Sequence, residues 1–251
     1  MKVDVYSNMY NEELILPYWL RHYETFADRI FIWDGGSTDK TLGILKAHPK
    51  VTLLPRGQRG HDDDYYITEL YPQYEKYSRG VSDWVIIADA DEFIYHPHLL
   101  EVLEKAKKEK IRMILSEGFS MISDKFPTGN GQIYDEIKTG FADAKYSKWT
   151  IFSPDLSLRF WRGRHWRPHG SNGVARSGYD GLKLLHYRFI GKKYLENRTI
   201  KNIEGVKLIT PGNTCSFTLE SVVRCPNGEN SSMLEWLAKY GRRAPNVIDE
   251  N

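Results

Sequence analysis

The chain has 251 residues, 41% hydrophobic and 13% aromatic, enough to bury the core of one α/β domain. Its 35 basic and 33 acidic residues leave a net charge of +2, which makes no case for a nucleic-acid or anionic-membrane surface. No apolar run reaches the ~18 residues of a membrane span, the early charges argue against a signal peptide, and Cys215 and Cys225 lack metal-type spacing, so a cytoplasmic protein with reduced thiols is expected.

Residues 2–7 read as a first strand. Asn11 is a good helix N-cap, with Glu12 and Glu13 at the positive end of the helix dipole. Leu14, Trp19, Leu20, Tyr23 and Phe26 recur at helical spacing, so a helix is expected over 12–26. A second apolar strand, 29–33, ends in Asp34-Gly35-Gly36-Ser37-Thr38-Asp39. The glycines allow a tight turn, and Ser37, Thr38 or Asp39 caps a helix over 39–47. Asp34 stands where acids of nucleotide-binding α/β folds meet ribose hydroxyls, or it simply forms the turn. Residues 51–54 make a third strand. The polar stretch 58–64 reads as a surface loop, with Arg59 as a candidate phosphate contact. Residues 65–78, rich in tyrosine, read as a packing helix despite Pro72.

The fourth strand, 84–88, is a continuous apolar run, the pattern of a strand buried on both faces. It runs straight into Asp89-Ala90-Asp91-Glu92. Three carboxylates so close repel one another, and each is costly to bury without a partner. A divalent cation resolves the conflict, because Mg²⁺ or Mn²⁺ takes hard oxygen ligands and keeps positions for substrate phosphates. If Ala90 stays extended, Asp89 and Asp91 share a side and Glu92 faces away. A solvated polar turn is the plain alternative. A helix over 97–109 and a strand over 111–115 extend the alternation. The pattern predicts an α/β fold, its sheet mostly parallel, with helices on both faces and a site at the C-terminal strand ends.

The stretch 158–170, LRFWRGRHWRPHG, interleaves Arg159, Arg162, Arg164 and Arg167 with Phe160, Trp161 and Trp166. Aromatic faces stack on sugar rings and arginines fork onto carboxylates or phosphates, so Trp161 and Arg164 are candidate acceptor contacts. The same interleaving suits single-stranded nucleic acid, and a hairpin with tryptophan inside and arginine outside needs no ligand. Another apolar run, 181–185, leads into His186. Residues 194–203 form a helix candidate. Residues 233–240 form a short amphipathic helix open to three uses: covering the core, which is preferred, resting on a membrane surface, or pairing with a second subunit. Residues 242–251 read as a frayed tail.

Taken in order, Tyr10-Asn11-Glu12-Glu13, Pro17-x-Trp19-Leu20-x-His22-Tyr23, the stretch 27–41 with its Asp-Gly-Gly-Ser-Thr-Asp core, and Asp89-Ala90-Asp91-Glu92-Phe93 resemble a glycosyltransferase of the family 2 type. The likeness is strong over about 1–95, weakens between about 110 and 155, and returns at 158–161 and at Leu185-His186-Tyr187-Arg188. It implies a GT-A fold in one domain over 1–251, with a nucleotide-binding half (1–110), an acceptor half (111–192) and a C-terminal extension (193–251). It implies that Tyr10, Asn11 and Glu12 flank the base and that Asp34 contacts base or ribose. It also implies that Asp89 lies near the ribose or the metal, and that Asp91, with His186 completing the shell, ligates Mn²⁺ or Mg²⁺ on the donor diphosphate. In the family, a segment like 158–170 often ends in His-Glu near the donor sugar. Here it reads His169-Gly170, so the glutamate's role is lost and His169 stands alone.

The activity implied is metal-dependent transfer of a sugar from a nucleotide-sugar, UDP-sugars foremost, to an acceptor hydroxyl such as that of a glycan. A metal neutralises the leaving diphosphate, and Arg188 or Lys192 is placed to assist. An inverting enzyme also needs a carboxylate base within about 3 Å of the hydroxyl. Glu117, after a strand, ranks ahead of Asp124, Asp143 and Asp155, whereas a retaining enzyme needs no such base. Two rival readings stay open. A nucleotidyltransferase shares the sheet and carboxylates but carries a glycine-rich basic phosphate loop, which residues 10–13 are not. A non-catalytic carbohydrate- or nucleic-acid-binding module would be built on 158–170.

Overall fold

The computed structural model describes residues 1–56, 63–170, 174–198, 223–224, 230–231 and 245–248. Arg59, both cysteines and the amphipathic stretch 233–240 lie outside the described residues.

Four parallel strands, β1 (Val3–Met9), β2 (Arg29–Asp34), β3 (Val51–Leu53) and β4 (Trp84–Ile87), lie in the order β3-β2-β1-β4. Successive residues of a strand face opposite sides, and these strands are apolar on both. Val3, Val5, Ile30, Ile32 and Ile86 enter one core; Tyr6, Phe31, Trp33, Val85 and Ile87 enter the other. The first core is closed by α1 (Leu16–Tyr23), α2 (Thr41–Ala47) and the helix Leu99–Lys108. The second is closed by the helical run 63–77, through Tyr66, Leu70, Tyr71 and Tyr74. That run widens to π-helix over Tyr66–Leu70 and tightens to 3-10 over Tyr71–Gln73. Pro72 has no N–H for an ordinary turn, so the helix changes pitch around it.

The remaining strands are β5 (Glu92–Tyr95), β6 (Ile111–Ser123), β7 (Gly140–Ala142), β8 (Lys148–Phe152), β9 (Val174–Ser177) and β10 (Lys183–Ile190). The sheet runs β3-β2-β1-β4-β8-β6-β10-β5, with β7 and β9 also on β6. β8 is antiparallel to β4 and β6, and β10 is parallel to β6 but antiparallel to β5. The fold class is the expected one: α/β, helices on both faces, acids at the C-terminal ends of parallel strands. No helix among the described residues is long and apolar enough to cross a membrane.

Three expectations are corrected. The helix expected over 12–26 is only Leu16–Tyr23, with Pro17 in its first turn, where a missing N–H costs nothing. Asn11 does not cap it, because its Oδ1 accepts from Thr38 N at 2.7 Å and its backbone is left-handed at φ 51°. The strand expected to end at Leu115 continues to Ser123, carrying Glu117 in mid-strand. Finally, 245–248 is no frayed tail. Val247 and Ile248 are buried in the first core, and Val247 N donates to Lys138 O at 2.8 Å.

Candidate active site at the strand-order reversal

The chain winds outward from β1 to β2 and β3, then returns to place β4 on the other side of β1. At such a reversal the loops diverge and leave a crevice beyond the C-terminal strand ends, where α/β sheets bind ligands. The loops after β1, β2 and β4 meet there.

The loop after β2 is shaped by the loop after β1. Gly35 N donates to Met9 O at 2.6 Å, and a Cβ on Gly35 would sit 3.0 Å from Tyr10 Cβ. Gly36 takes φ 86°, which favours glycine. Asp34 Oδ2 accepts from Gly36 N (3.0 Å) and Ser37 N (3.1 Å), so the turn-forming role is real. Its Oδ1 is buried with no partner, an acceptor left for something else. Asn11 ties the two loops together, and Glu12 N donates to Thr41 Oγ1 at 2.7 Å. Tyr10, Asn11, Glu12 and Asp34 thus stand together at the C-terminal ends of β1 and β2.

The acids after β4 are held by the motif that precedes them in sequence. Trp19 Nε1 donates to Asp89 O (3.1 Å), Tyr23 OH to Glu92 O (3.0 Å), and His22 Nε2 to Ile94 O (2.8 Å). The Trp-Leu-x-His-Tyr spacing puts these three polar tips on the helix face that meets the acidic turn.

The turn does not stay extended. β4 stops at Ile87, Glu92 N donates back to Asp89 O at 3.0 Å, and β5 begins at Glu92. Asp89 and Glu92 therefore share one side, contrary to the alternation expected through Ala90. β8, antiparallel to β4, begins at Lys148 and brings that residue to the acidic turn. Lys148 Nζ bonds Asp89 Oδ2 at 3.0 Å and also Glu92 Oε1. Arg164 NH2 bonds Asp89 Oδ1 (3.1 Å) and Glu92 Oε2 (2.8 Å), while NH1 reaches Tyr71 OH (3.3 Å). Asp91 turns elsewhere, to Arg198 NH2 at 2.9 Å. Arg198 lies on helical backbone over 192–198.

Burial and pairing pull these groups apart in proton affinity. Asp89 keeps a side chain 40% exposed, whereas Glu92 is 1% exposed. Burial raises Asp89, but Arg164 and Lys148 hold it well below the usual carboxylate range. Glu92 is raised, by burial first and by Asp89 next. For Asp91 burial again works upward and is outweighed by Arg198, so its carboxyl lies below the usual range. His186 sits opposite Glu92 in the β10–β5 register. Burial and then Lys148 push it down to about 3, so it is neutral. Its Nε2–H donates to Tyr146 O at 3.0 Å, and Nδ1 stands 3.8 Å from Glu92 Oε1, the oxygen Lys148 bonds.

Among the described residues no three His, Cys, Asp or Glu side chains are gathered to share one metal ion. Of the residues expected to hold one, Asp89 pairs with Lys148 and Arg164, Asp91 with Arg198, and His186 with Tyr146 O, while both aspartates still act on His186 through their charge. Lys148, Arg164 and Arg198 are the protein cations paired with these acids. The Nε–H groups of Arg164 and Arg198 are buried with no acceptor, an arrangement that costs about 1–3 kcal/mol or more per group until an oxygen is supplied.

Arg164 is therefore at the centre of the site, although it was expected as an acceptor contact. Its backbone is left-handed at φ 59°, following Gly163 at φ 67°. Trp161 and His169 lie on the outer side of the same segment, exposed, with rings 5.2 Å apart. Trp166 is 72% exposed. Arg188 is half-buried and its charge acts on Asp91. Glu117 is not brought to the acids. Lys148 pairs with Ser116, so Glu117 projects from the opposite face of β6, exposed. Asp124 and Asp155 are exposed as well. Asp143 is buried and caps the turn carrying Tyr146, its Oδ1 accepting from Lys145 N at 3.1 Å.

Sequence reasoning missed Lys148 and Arg198, and it set Glu92 aside. A lysine opening the strand Lys148–Phe152 was a usable signal, since a charge there needs a buried partner. Arg198 carried none.

No family profile matches the chain, and no curated protein matches it in sequence. Among solved structures it is similar to S. aureus TarS 1–349. For TarS alone the identity is 13%, over 82% of this chain and 66% of that one, with a TM-score of 0.48. With UDP the values are 13%, 82%, 66% and 0.49; with UDP-GlcNAc they are 14%, 83%, 65% and 0.47. The chain spans just under two thirds of those TarS chains.

Proposed function

We propose that this chain is a glycosyltransferase that uses a nucleotide-sugar, a UDP-sugar first, and an acceptor hydroxyl. One observation carries the reading: acid-tipped strands β2 and β4 flank β1 at the strand-order reversal, with buried cations gathered behind the acids. Asp34, with one oxygen in its turn and one buried without a partner, suits a ribose or base donor group. Tyr10, Asn11 and Glu12 form the wall beside it. The basic side chains at the other end suit a diphosphate.

In the reaction the acceptor oxygen bonds to the anomeric carbon, and the bond from that carbon to the diphosphate oxygen breaks. The electron pair leaves with the nucleoside diphosphate. The hydroxyl proton passes to a base, or to the departing diphosphate in a retaining sequence. Stabilising that leaving charge is the largest demand on the site. The acceptor reading places Trp161 and His169 along the rim.

The test is to incubate the protein with a panel of nucleotide-sugars and identify the product released. UDP and UDP-GlcNAc, the ligands in the similar TarS structures, head the panel. Release of nucleoside diphosphate is expected. Release of pyrophosphate from nucleoside triphosphates instead would replace this reading with nucleotidyl transfer.

A further inference from the structure

Asp89, Asp91 and Glu92 bring three negative charges to the crevice, and Lys148, Arg164 and Arg198 bring three positive ones, all within ion-pair distance. The acids are thus compensated before any ligand arrives. A divalent cation binding Asp91 would have to displace Arg198, and one binding between Glu92 and His186 would have to displace Lys148 from the oxygen they face. It would also enter among three like charges. Two observations point the other way, to an anion. Arg164 and Arg198 each keep a buried Nε–H with no acceptor. Arg188 acts on Asp91 and lies over the Phe189 ring, yet has no carboxylate partner among the described residues. Its charge is therefore surplus to the acids. Arginine presents several donors in a fixed plane and suits phosphate oxygens.

Resting on the nucleotide-sugar reading, we infer that this site neutralises the donor's diphosphate with its own cations, Arg188 and Arg198 beside Arg164 and Lys148, rather than with a divalent metal ion. Asp89, Asp91 and Glu92 are then the groups that position those cations. They are not ligands of a metal.

The experiment is calorimetric titration of wild-type protein with UDP and with uridine, in EDTA and again in Mn²⁺, alongside titration with Mn²⁺ alone. UDP is expected to bind in EDTA with a Kd within about threefold of that in Mn²⁺, and Mn²⁺ alone gives no saturable binding. Arg188→Gln and Arg198→Gln are each expected to weaken UDP by about tenfold, the scale of one charge-assisted contact, and to leave uridine within about twofold. Arg188→Lys should recover part of the loss. UDP binding that requires Mn²⁺ overturns the inference and leaves the transferase reading standing. Equal loss of UDP and uridine in both variants also overturns it, since the arginines would then act on the fold. Binding of neither ligand by folded protein overturns the nucleotide-sugar reading itself, and the inference with it.

Discussion

Glu92 is one of the most deeply buried acids in the chain, and its charge is tolerable only because Lys148 and Arg164 meet it from two sides. Taking one partner from a buried ionic cluster costs more than the cluster contributes, because the remaining charge is stranded. Arg164→Met should lower stability by about 3 kcal/mol in urea denaturation. An unchanged midpoint would mean that the cluster is solvated. His22 gives a second prediction at this scale. Burial pushes it down to about 4 from its ordinary 6.5, with the Ile94 carbonyl working weakly the other way. The unfolded chain therefore takes up the proton first. The stability linked to His22 is full above about pH 6.5 and falls as the pH drops toward 4, by about 2 kcal/mol at pH 5. Glu92, raised in the fold, works in the opposite sense, so the wild-type curve alone does not isolate His22. The difference between wild type and His22→Gln does: acidification from pH 7 to pH 5 should cost wild type about 2 kcal/mol more than the variant.

Elements, rather than residues, set where the site groups stand. β6 passes so close to the turn before β8 that a Cβ on Gly118 would lie 2.3 Å from the Tyr146 carbonyl carbon and 2.5 Å from Ser147 N. The same turn presents Tyr146 O to His186 and leads directly into Lys148. Gly118→Ala must push that turn away, at a cost of about 2 kcal/mol typical of overpacking. Thermal unfolding should register the loss, and a variant as stable as wild type would refute the close approach. At the other end of the crevice Gly35→Ala meets Tyr10 and Met9 O at 3.0–3.2 Å. It should leave the protein folded and weaken nucleotide binding several-fold, because the loops after β1 and β2 can no longer touch.

Across the whole molecule, stability and chemistry sit at opposite ends of the parallel strands. At the N-terminal end of β1, Asp4 is fully buried. Its Oδ2 takes Arg29 NH2 and Ser78 Oγ, each at 2.5 Å, and also Ser82 Oγ, so one carboxylate ties β1, β2 and the segment entering β4. Asp4→Ala removes the acceptor these three groups share, leaving Arg29 to Tyr77 O and Ser82 Oγ and Ser78 to Tyr6 OH, and should cost about 2 kcal/mol. The crevice lies beyond the far ends of the same strands. Wherever the variant is still folded, its UDP affinity should equal that of wild type. A parallel fall in affinity would mean that the network supports the site directly.

Local pattern was enough to read the strands, because a two-faced apolar run such as 84–87 has no stable place outside a buried sheet. It was enough for the acid tips too, and for a helix bearing Trp19, Leu20 and Tyr23. Those are properties of adjacent residues. It did not reveal which way the acids turn, since the kink at Ala90 depends on β5 pairing with β10 rather than continuing β4. It did not reveal Lys148 either, which reaches Asp89 from a strand antiparallel to β4 and more than fifty residues away in sequence. Arg198 is the extreme case: nothing nearby in sequence distinguishes it, and only the packing of 192–198 over Asp91 brings it in. Whether a carboxylate cluster is a cation site or the counter-charge for protein cations is decided by what folds against it. The partners come from distant elements, so only the tertiary structure shows which cations face these acids.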